Sequence, residues 1–389
     1  MRRLLAVAGL MLSSCSGSFG PAPLRGVADA SHATSYKRVH AFAAPPDGSQ
    51  PLAGLTTLNG RLYGTTSHGG YNYGVAFAID GNGTHESIVH KFGSVYDGAA
   101  PEAALVVYKG ALYGTTAAGG ANGKGSVFAI DSTGAEHVVY SFKGGKDGYD
   151  PLGRLTVYGG ELYGTTYFGG AKNKGTVFSV TLGGTERVRH SFTGAPDGAN
   201  PKAGLIVVKG LLYGTTQGGG NQTRGFGTVF SITSGGKERV VYAFKPIYDG
   251  GDPIGDLIYV DAAFYGTTYN GGMNNDGTIY RLTPSGKESL LYKFASGKDG
   301  ANPAAGLVNV HGVLYGTTVN GGAHQQGIVF KVTLKGNEAV VHAFAGGTDG
   351  AWPFSTLTLL SGKLYGTTQN GGGCSAYGNG CGTIFSLAP

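Results

Sequence analysis

The stretch LYGTTSHGG, Leu62 to Gly70, sets a leucine and a tyrosine ahead of a glycine, two threonines and, after two unconstrained positions, a glycine pair. It returns as LYGTTAAGG, LYGTTYFGG, LYGTTQGGG, FYGTTYNGG, LYGTTVNGG and LYGTTQNGG, with its tyrosine at Tyr63, Tyr113, Tyr163, Tyr213, Tyr265, Tyr315 and Tyr365. Successive tyrosines stand 50, 50, 50, 52, 50 and 50 residues apart. A fixed period of this length marks a repeat architecture, and it overrules the two or three domains that 389 residues would otherwise suggest.

Outward from the phrase, the second copy holds four runs rich in Val, Tyr, Phe, Thr and Leu: Leu105 to Tyr108, Leu112 to Thr116, Ser126 to Ile130 and His137 to Phe142. Short glycine turns punctuate them. Four antiparallel strands in each of seven units predict an all-β fold, a seven-bladed β-propeller with one sheet per blade. A parallel β-helix would repeat at a much shorter period, whereas kelch blades repeat at a similar one. The seventh unit ends at Gly382 to Leu387, after its third strand, while Tyr36 to Phe42, YKRVHAF, matches the fourth-strand pattern of HESIVHKF and NEAVVHAF. The N-terminal strand is therefore expected to close the last blade and remove the open edges of a linear array. Residues 36–389 are expected to form one ring, acting as a monomer.

Gly is 74 and Pro 15, a share that suggests low complexity, but 11% aromatics and the strict period assign these glycines to turns of an ordered unit. Only 13% of residues are charged, the net charge is +6, and Lys and Arg are scattered singly, so no basic stripe points to nucleic acid. The N-terminus reads MRRLLAVAGLMLSSCSGS, a positive start followed by an apolar run too short for a mature membrane span. Leu12, Ser13, Ser14 and Cys15 match a bacterial lipobox. This predicts a signal peptide over 1–14, a lipidated Cys15, a flexible tether over 15–35 and an outer-membrane lipoprotein of the cell envelope, touching the membrane through its lipid alone. The competing reading is an ordinary signal cut after Ala30, which lies far from the apolar run and beyond two prolines. Cys374 and Cys381 then remain as one pair, favoured as a disulfide in an exported chain. A metal site is the alternative, weakened by the lack of a neighbouring histidine.

YGTTxxGG followed by a strand such as Gly175, Thr176, Val177 and Phe178 resembles the GloVer-type tandem-repeat family of bacterial exported proteins. The likeness covers everything from about Tyr36 to the C-terminus. It implies export and a repeat scaffold, and no activity, cofactor or catalytic residue comes with it.

Seven aspartates of the DGxxP turn, Asp47, Asp97, Asp147, Asp197, Asp249, Asp299 and Asp349, fill one column and read as turn caps rather than a metal ring. Glu86, Glu136, Glu186, Glu238, Glu288 and Glu338 fill another, at the start of strand four. His40, His90, His190 and His342 share a column with Tyr140, Tyr242 and Tyr292, an interchange that reads as aromatic packing. Outside these columns Asp252, Asp256 and Asp276 form the one acidic group suited to general acid and base chemistry or to a hard cation, as in an envelope polysaccharide lyase or hydrolase. No metal or cofactor motif is present.

If strand one is innermost, the loops from strand two to three and from strand four to the next strand one share a face, and all variation in length falls there. Loops of this kind on a rigid scaffold carry ligand sites. Tyr167 and Phe168, Tyr269 and Asn270, His68 and His324, and the only tryptophan, Trp352, lie in them. Aromatic platforms interleaved with Asn and Asp suit a glycan or a protein partner. The sequence thus favours a non-catalytic recognition module, with an envelope enzyme and a purely structural module as alternatives.

Overall fold

The computed structural model describes residues 36–389 except 44, 94–95, 222–224, 246–248 and 375–379. The expected signal peptide, Cys15 and the expected tether lie outside the described residues. Seven four-stranded antiparallel sheets form a ring. In the second blade the strands run Val106–Tyr108, Ala111–Thr116, Ser126–Ile130 and Glu136–Ser141, within one residue of the expected bounds. The last blade takes Thr358–Leu360, Lys363–Thr368 and Thr383–Leu387 from the C-terminus, and Lys37–Ala41 pairs antiparallel with the last of these. Closure by the N-terminal strand is thereby established.

The repeated phrase is the scaffold of each blade. Gly114 is glycine because a Cβ there would come 2.5 Å from the ring of Phe128 and 2.7 Å from Leu105, and its counterparts Gly64, Gly164, Gly214, Gly316 and Gly366 face the same crowding. The room goes to an aromatic column in strand three, which meets the phenylalanine that ends the outer strand of the preceding blade. Phe42 meets Phe77, Phe92 meets Phe128, Phe142 meets Phe178, Phe192 meets Phe230, Phe244 meets Tyr280, Phe294 meets Phe330 and Phe344 meets Phe385. All seven pairs are edge-to-face, with centroids 4.9 to 5.2 Å apart. Such a contact adds about 0.5–1.5 kcal/mol to the burial of its two rings. One pair at every interface, the closing one included, makes the ring a chain of equivalent joints.

The two threonines divide the polar work. Thr165 and Thr267 donate to the carbonyls of Ala203 and Ala305 in the next blade at 3.0 and 2.9 Å, so in these blades the first threonine clasps its neighbour, whereas the hydroxyls of Thr115 and Thr215 are buried without a partner. The second bonds within its own blade, as Thr166 does to Thr176 at 2.8 Å. Outer strands carry a bulge at one register position, between the partners of Val127 and Phe128 in blade two and at equivalent places around the ring. A bulge sharpens the local twist. A left-handed turn glycine of the next blade packs on the bulged residue: a Cβ on Gly236 would stand 2.3 Å from the carbonyl of Arg189, and one on Gly83 2.3 Å from that of Val39.

The loops expected to share a face do so, because they pair with one another. Gly48–Ser49 ladders with His68–Gly69, Gly198–Ala199 with Gly218–Gly219, and single bridges join Ala99 to Ala118, Tyr149 to Phe168 and Gly251 to Asn270. Cys374 and Cys381 are joined by a disulfide within the long loop of blade seven.

Candidate functional site

The repeat builds a central cavity of about 930 Å³, lined by the innermost strands and the residues that lead into them. One column on its wall is Gly54, Ala104, Arg154, Asp256, Gly306 and Thr356, with Gly204 holding the blade-four position of that column. Small residues there keep the cavity open, and Arg154 and Asp256 break the pattern as a pair. Arg154 Nε sits 2.8 Å from Asp256 Oδ2, an ion pair without hydrogen-bond alignment at that nitrogen. Asp256 Oδ1 accepts the Gly204 N–H at 2.7 Å. Gly204 lies between the pair, since a Cβ would meet Arg154 at 2.6 Å. Two opposite charges from blades three and five therefore reach across blade four through the space that a glycine leaves.

Above this pair the rim is uneven. Leu52, Leu152, Ile254 and Phe354 line the cavity in the position after the repeat proline, but Glu102 and Lys202 hold the same position in blades two and four. Burial pushes the Glu102 carboxyl up; Lys202 draws it back and Asp150 adds to the rise. Burial likewise raises Asp150, with Lys202 opposing. Tyr167 donates its hydroxyl to Gln217 Oε1 at 2.9 Å. Its own ionisation is pushed up by burial and by the carboxylates of Asp150 and Asp252 on either side. Gln369, in the same loop position as Tyr167, lines the cavity, which puts this column at its mouth.

The other residues singled out from sequence are distributed around that mouth. Phe168 packs edge-on against Tyr167 at 4.6 Å and stacks on Tyr149 at 5.3 Å, and Lys124 Nζ stands 4.9 Å from the Tyr149 ring. The Tyr269 carbonyl accepts from Asn302 at 3.0 Å, and Asn270 donates to Asp252 at 2.6 Å. Trp352 lies between Gln326 and Gln369, bonded through its backbone to both. His68 Nδ1 is 3.0 Å from Ser67 Oγ, and His324 is exposed in its loop. Tyr167 and Phe168 touch; among the described residues no ring contact joins them to Tyr269 or Trp352.

Asp252, Asp256 and Asp276 have separate surroundings. Burial raises Asp252, and the bond from Asn270 opposes it. Asp256 serves Arg154 and Gly204. Asp276 accepts from the Asn302 N–H through its carbonyl and holds a buried Oδ2 without a hydrogen-bond partner. Among the described residues no hydrogen bond joins any two of them.

Sequence reasoning missed Arg154, Glu102 and Lys202. The signal was present, because each stands charged in a column that most blades fill with small or apolar residues. The aromatic slot of the outer strand packs edge-on against the phenylalanine two residues on, as expected, and most of its members also bond to the turn aspartates. His90 reaches Asp97 at 2.9 Å, His190 reaches Asp197 at 3.1 Å and Tyr292 donates to Asp299 at 2.6 Å. Histidine and tyrosine interchange because both put a donor at one place. The aspartates do cap turns, taking the N–H four residues earlier, as Asp147 does from Lys143 at 2.6 Å. Burial alone would raise Asp197, but the bonds from His190, Thr193 and Gly198 outweigh it and hold the carboxyl below its usual range.

A closed ring of four-stranded blades with a lined central cavity defines a β-propeller. The family model of the Gloeobacter/Verrucomicrobia repeat matches residues 28–226 and 221–389, and the chain belongs to that family. No match was found among curated proteins. Among solved structures, an oligogalacturonate lyase in complex with manganese superposes with a TM-score of 0.55 at 13% identity, covering 91% of this chain and 92% of that one. The extracellular domain of a putative one-component system from B. thetaiotaomicron gives 0.58 at 12% identity, over 90% of this chain and 42% of that one. A puromycin hydrolase gives 0.53 at 11% identity, over 82% and 50%. At these identities the likeness is one of fold, which a lyase, a hydrolase and the extracellular domain of a putative one-component system share.

Proposed function

We propose that this propeller is a non-catalytic recognition module that takes a glycan on its loop-rich face, at the mouth of the central cavity. One observation carries the reading: the rim of blades two to five departs from the repeat. There Tyr167 stands among Asp150, Asp252 and Gln217, with Glu102 and Lys202 beside the cavity they line. A flat ring flanked by carboxylates and amides is the chemistry that sugar hydroxyls and an apolar sugar face require. The N-terminal lipobox supports placement at the cell envelope, with Cys15 as the lipid attachment.

The reading is tested on an array of bacterial envelope polysaccharides. Binding by the purified protein should fall at least tenfold in Tyr167→Ala and in Lys202→Ala. No glycan bound, or binding indifferent to both variants, overturns it, and an envelope protein captured by the same rim would replace the glycan with a protein partner. Incorporation of a radiolabelled lipid precursor, lost in Cys15→Ser, tests the anchor. The enzyme reading has less support because the three candidate acids serve separate partners. Depolymerisation of a polysaccharide that is abolished by Asp252→Ala would restore it.

A further inference from the structure

Away from the cavity, the outer seams between blades repeat one arrangement: the slot residue of one outer strand, the turn aspartate that follows it, and the glutamate that opens the next blade's outer strand. Where the slot holds tyrosine, the phenol donates to the aspartate, as Tyr140 does to Asp147 at 2.9 Å. At two of the four histidine slots, His90 and His190, the same place offers an imidazole nitrogen clustered with two carboxylates. We propose that the seams built from His90, Asp97 and Glu136 and from His190, Asp197 and Glu238 each bind one divalent transition-metal cation of the zinc type, clamping adjacent blades.

In each seam one ligand atom from each of the three side chains lies within 4.8 Å of the other two. His90 Nε2 is 2.9 Å from Asp97 Oδ2 and 4.0 Å from Glu136 Oε2. Ligand atoms about 2.1 Å from a common ion stand roughly 3 to 4 Å apart, so these separations admit one. One imidazole and two carboxylates form a borderline N and O set, which suits zinc better than calcium.

A second observation points to the ion. The Glu136 side chain is only 8% exposed, and its Oε1 is buried without a hydrogen-bond partner; Glu238 Oε1 is buried and unpartnered in the same way, and although the glutamates of the other seams share this orphan oxygen, these two add an imidazole within metal-ligand reach. A buried carboxylate oxygen held against a second carboxylate is costly, and a cation between them relieves both. The second seam also has an entry, because Asp197 and Glu238 line a cavity of about 640 Å³ together with Pro196, Tyr242 and Lys245. The seam of His342 is a built-in contrast. There the N-terminal strand puts Tyr36, stacked on His342 at 3.8 Å, where the other seams have glutamate, and the third ligand is gone.

The repeat supplies its own control, since tyrosine is native to the slot in three blades. The full chain is stripped with EDTA, dialysed and titrated with zinc by calorimetry and with cobalt by visible absorption. The wild type should take up two more ions per chain than the double variant His90→Tyr with His190→Tyr, and zinc should raise its unfolding temperature by several degrees while leaving that of the variant unmoved. Equal uptake by both chains, or no uptake by the wild type at 100-fold molar excess, overturns the proposal. Should the tyrosine variant fold poorly in EDTA, Glu136→Gln with Glu238→Gln must show the same loss of two ions, and retention of both ions there refutes the assignment.

Discussion

The glutamates of the tyrosine seams give the most searching test of how this ring is held together. Burial and the neighbouring Asp249 push Glu288 from the ordinary 4.5 to about 7. Burial and Asp299 do the same to Glu338, and burial with the charge and hydrogen bond of Asp147 takes Glu186 to about 8. These carboxyls are half-buried, and one oxygen of each lacks a hydrogen-bond partner. Raising such a pKa from 4.5 to 7 corresponds to about 3 kcal/mol for ionising the group in place, and partial exposure reduces this to about 1–2 kcal/mol per seam. The folded pKa lies above the unfolded one, so the contribution is full below pH 4.5 and is lost as the pH rises through 7 to 8. Glutamine keeps the shape and supplies a donor toward the aspartate without a charge. The triple variant Glu186→Gln, Glu288→Gln, Glu338→Gln should therefore match the wild type at pH 4.5 and exceed it by about 3–6 kcal/mol at pH 9. Guanidinium unfolding of both chains at the two pH values in EDTA measures the difference. A gain of the same size at both values, or a loss at pH 9, would refute the account of the seams.

Other contacts predict effects of their own. Gly114→Ala drives a methyl against Phe128 and Leu105 and should cost about 1–3 kcal/mol in denaturant unfolding; an unchanged midpoint would mean that the ring at Phe128 has room to move. Phe42→Ala removes one partner of the closing aromatic pair and should cost about 3–5 kcal/mol, as much as Phe142→Ala at an ordinary interface. A much smaller loss at Phe42 would show that the ring tolerates opening. Gly204→Ala should separate Arg154 from Asp256, and a crystal structure of the variant with the 2.8 Å pair intact would contradict the role given to that glycine.

The fold was legible because its requirements recur. Strand alternation, the glycine under the phenylalanine ring and the missing fourth strand of blade seven are each seen several times over or fixed by what the chain ends lack. The site was less legible, because a ligand face is made of exceptions and each exception occurs once. Tyr167 and Trp352 could be picked as aromatic residues in variable loops, yet nothing local says that Tyr167 lies between Asp150 and Asp252. Arg154 and Asp256 are 102 residues apart and meet only because the ring puts their columns on one wall. The histidine column is half legible: repetition shows its packing against the following phenylalanine, whereas the donor it aims at the turn aspartate shows only in the folded ring.

The closing strand Lys37–Ala41 makes the last blade the one sheet, among the described residues, that is assembled from both ends of the chain. The first six blades are each contiguous in sequence, whereas in the seventh the chain's first strand is the outer strand of its last sheet. Excising a fifty-residue period such as 101–150 would take out one whole blade and leave the same latch, with Phe42 still meeting Phe77. The latch thus carries no information about how many blades there are. Blade number is free to change by unequal recombination between copies without any redesign of the ends, and the geometry of the wedge-shaped joints decides which counts survive as a closed ring.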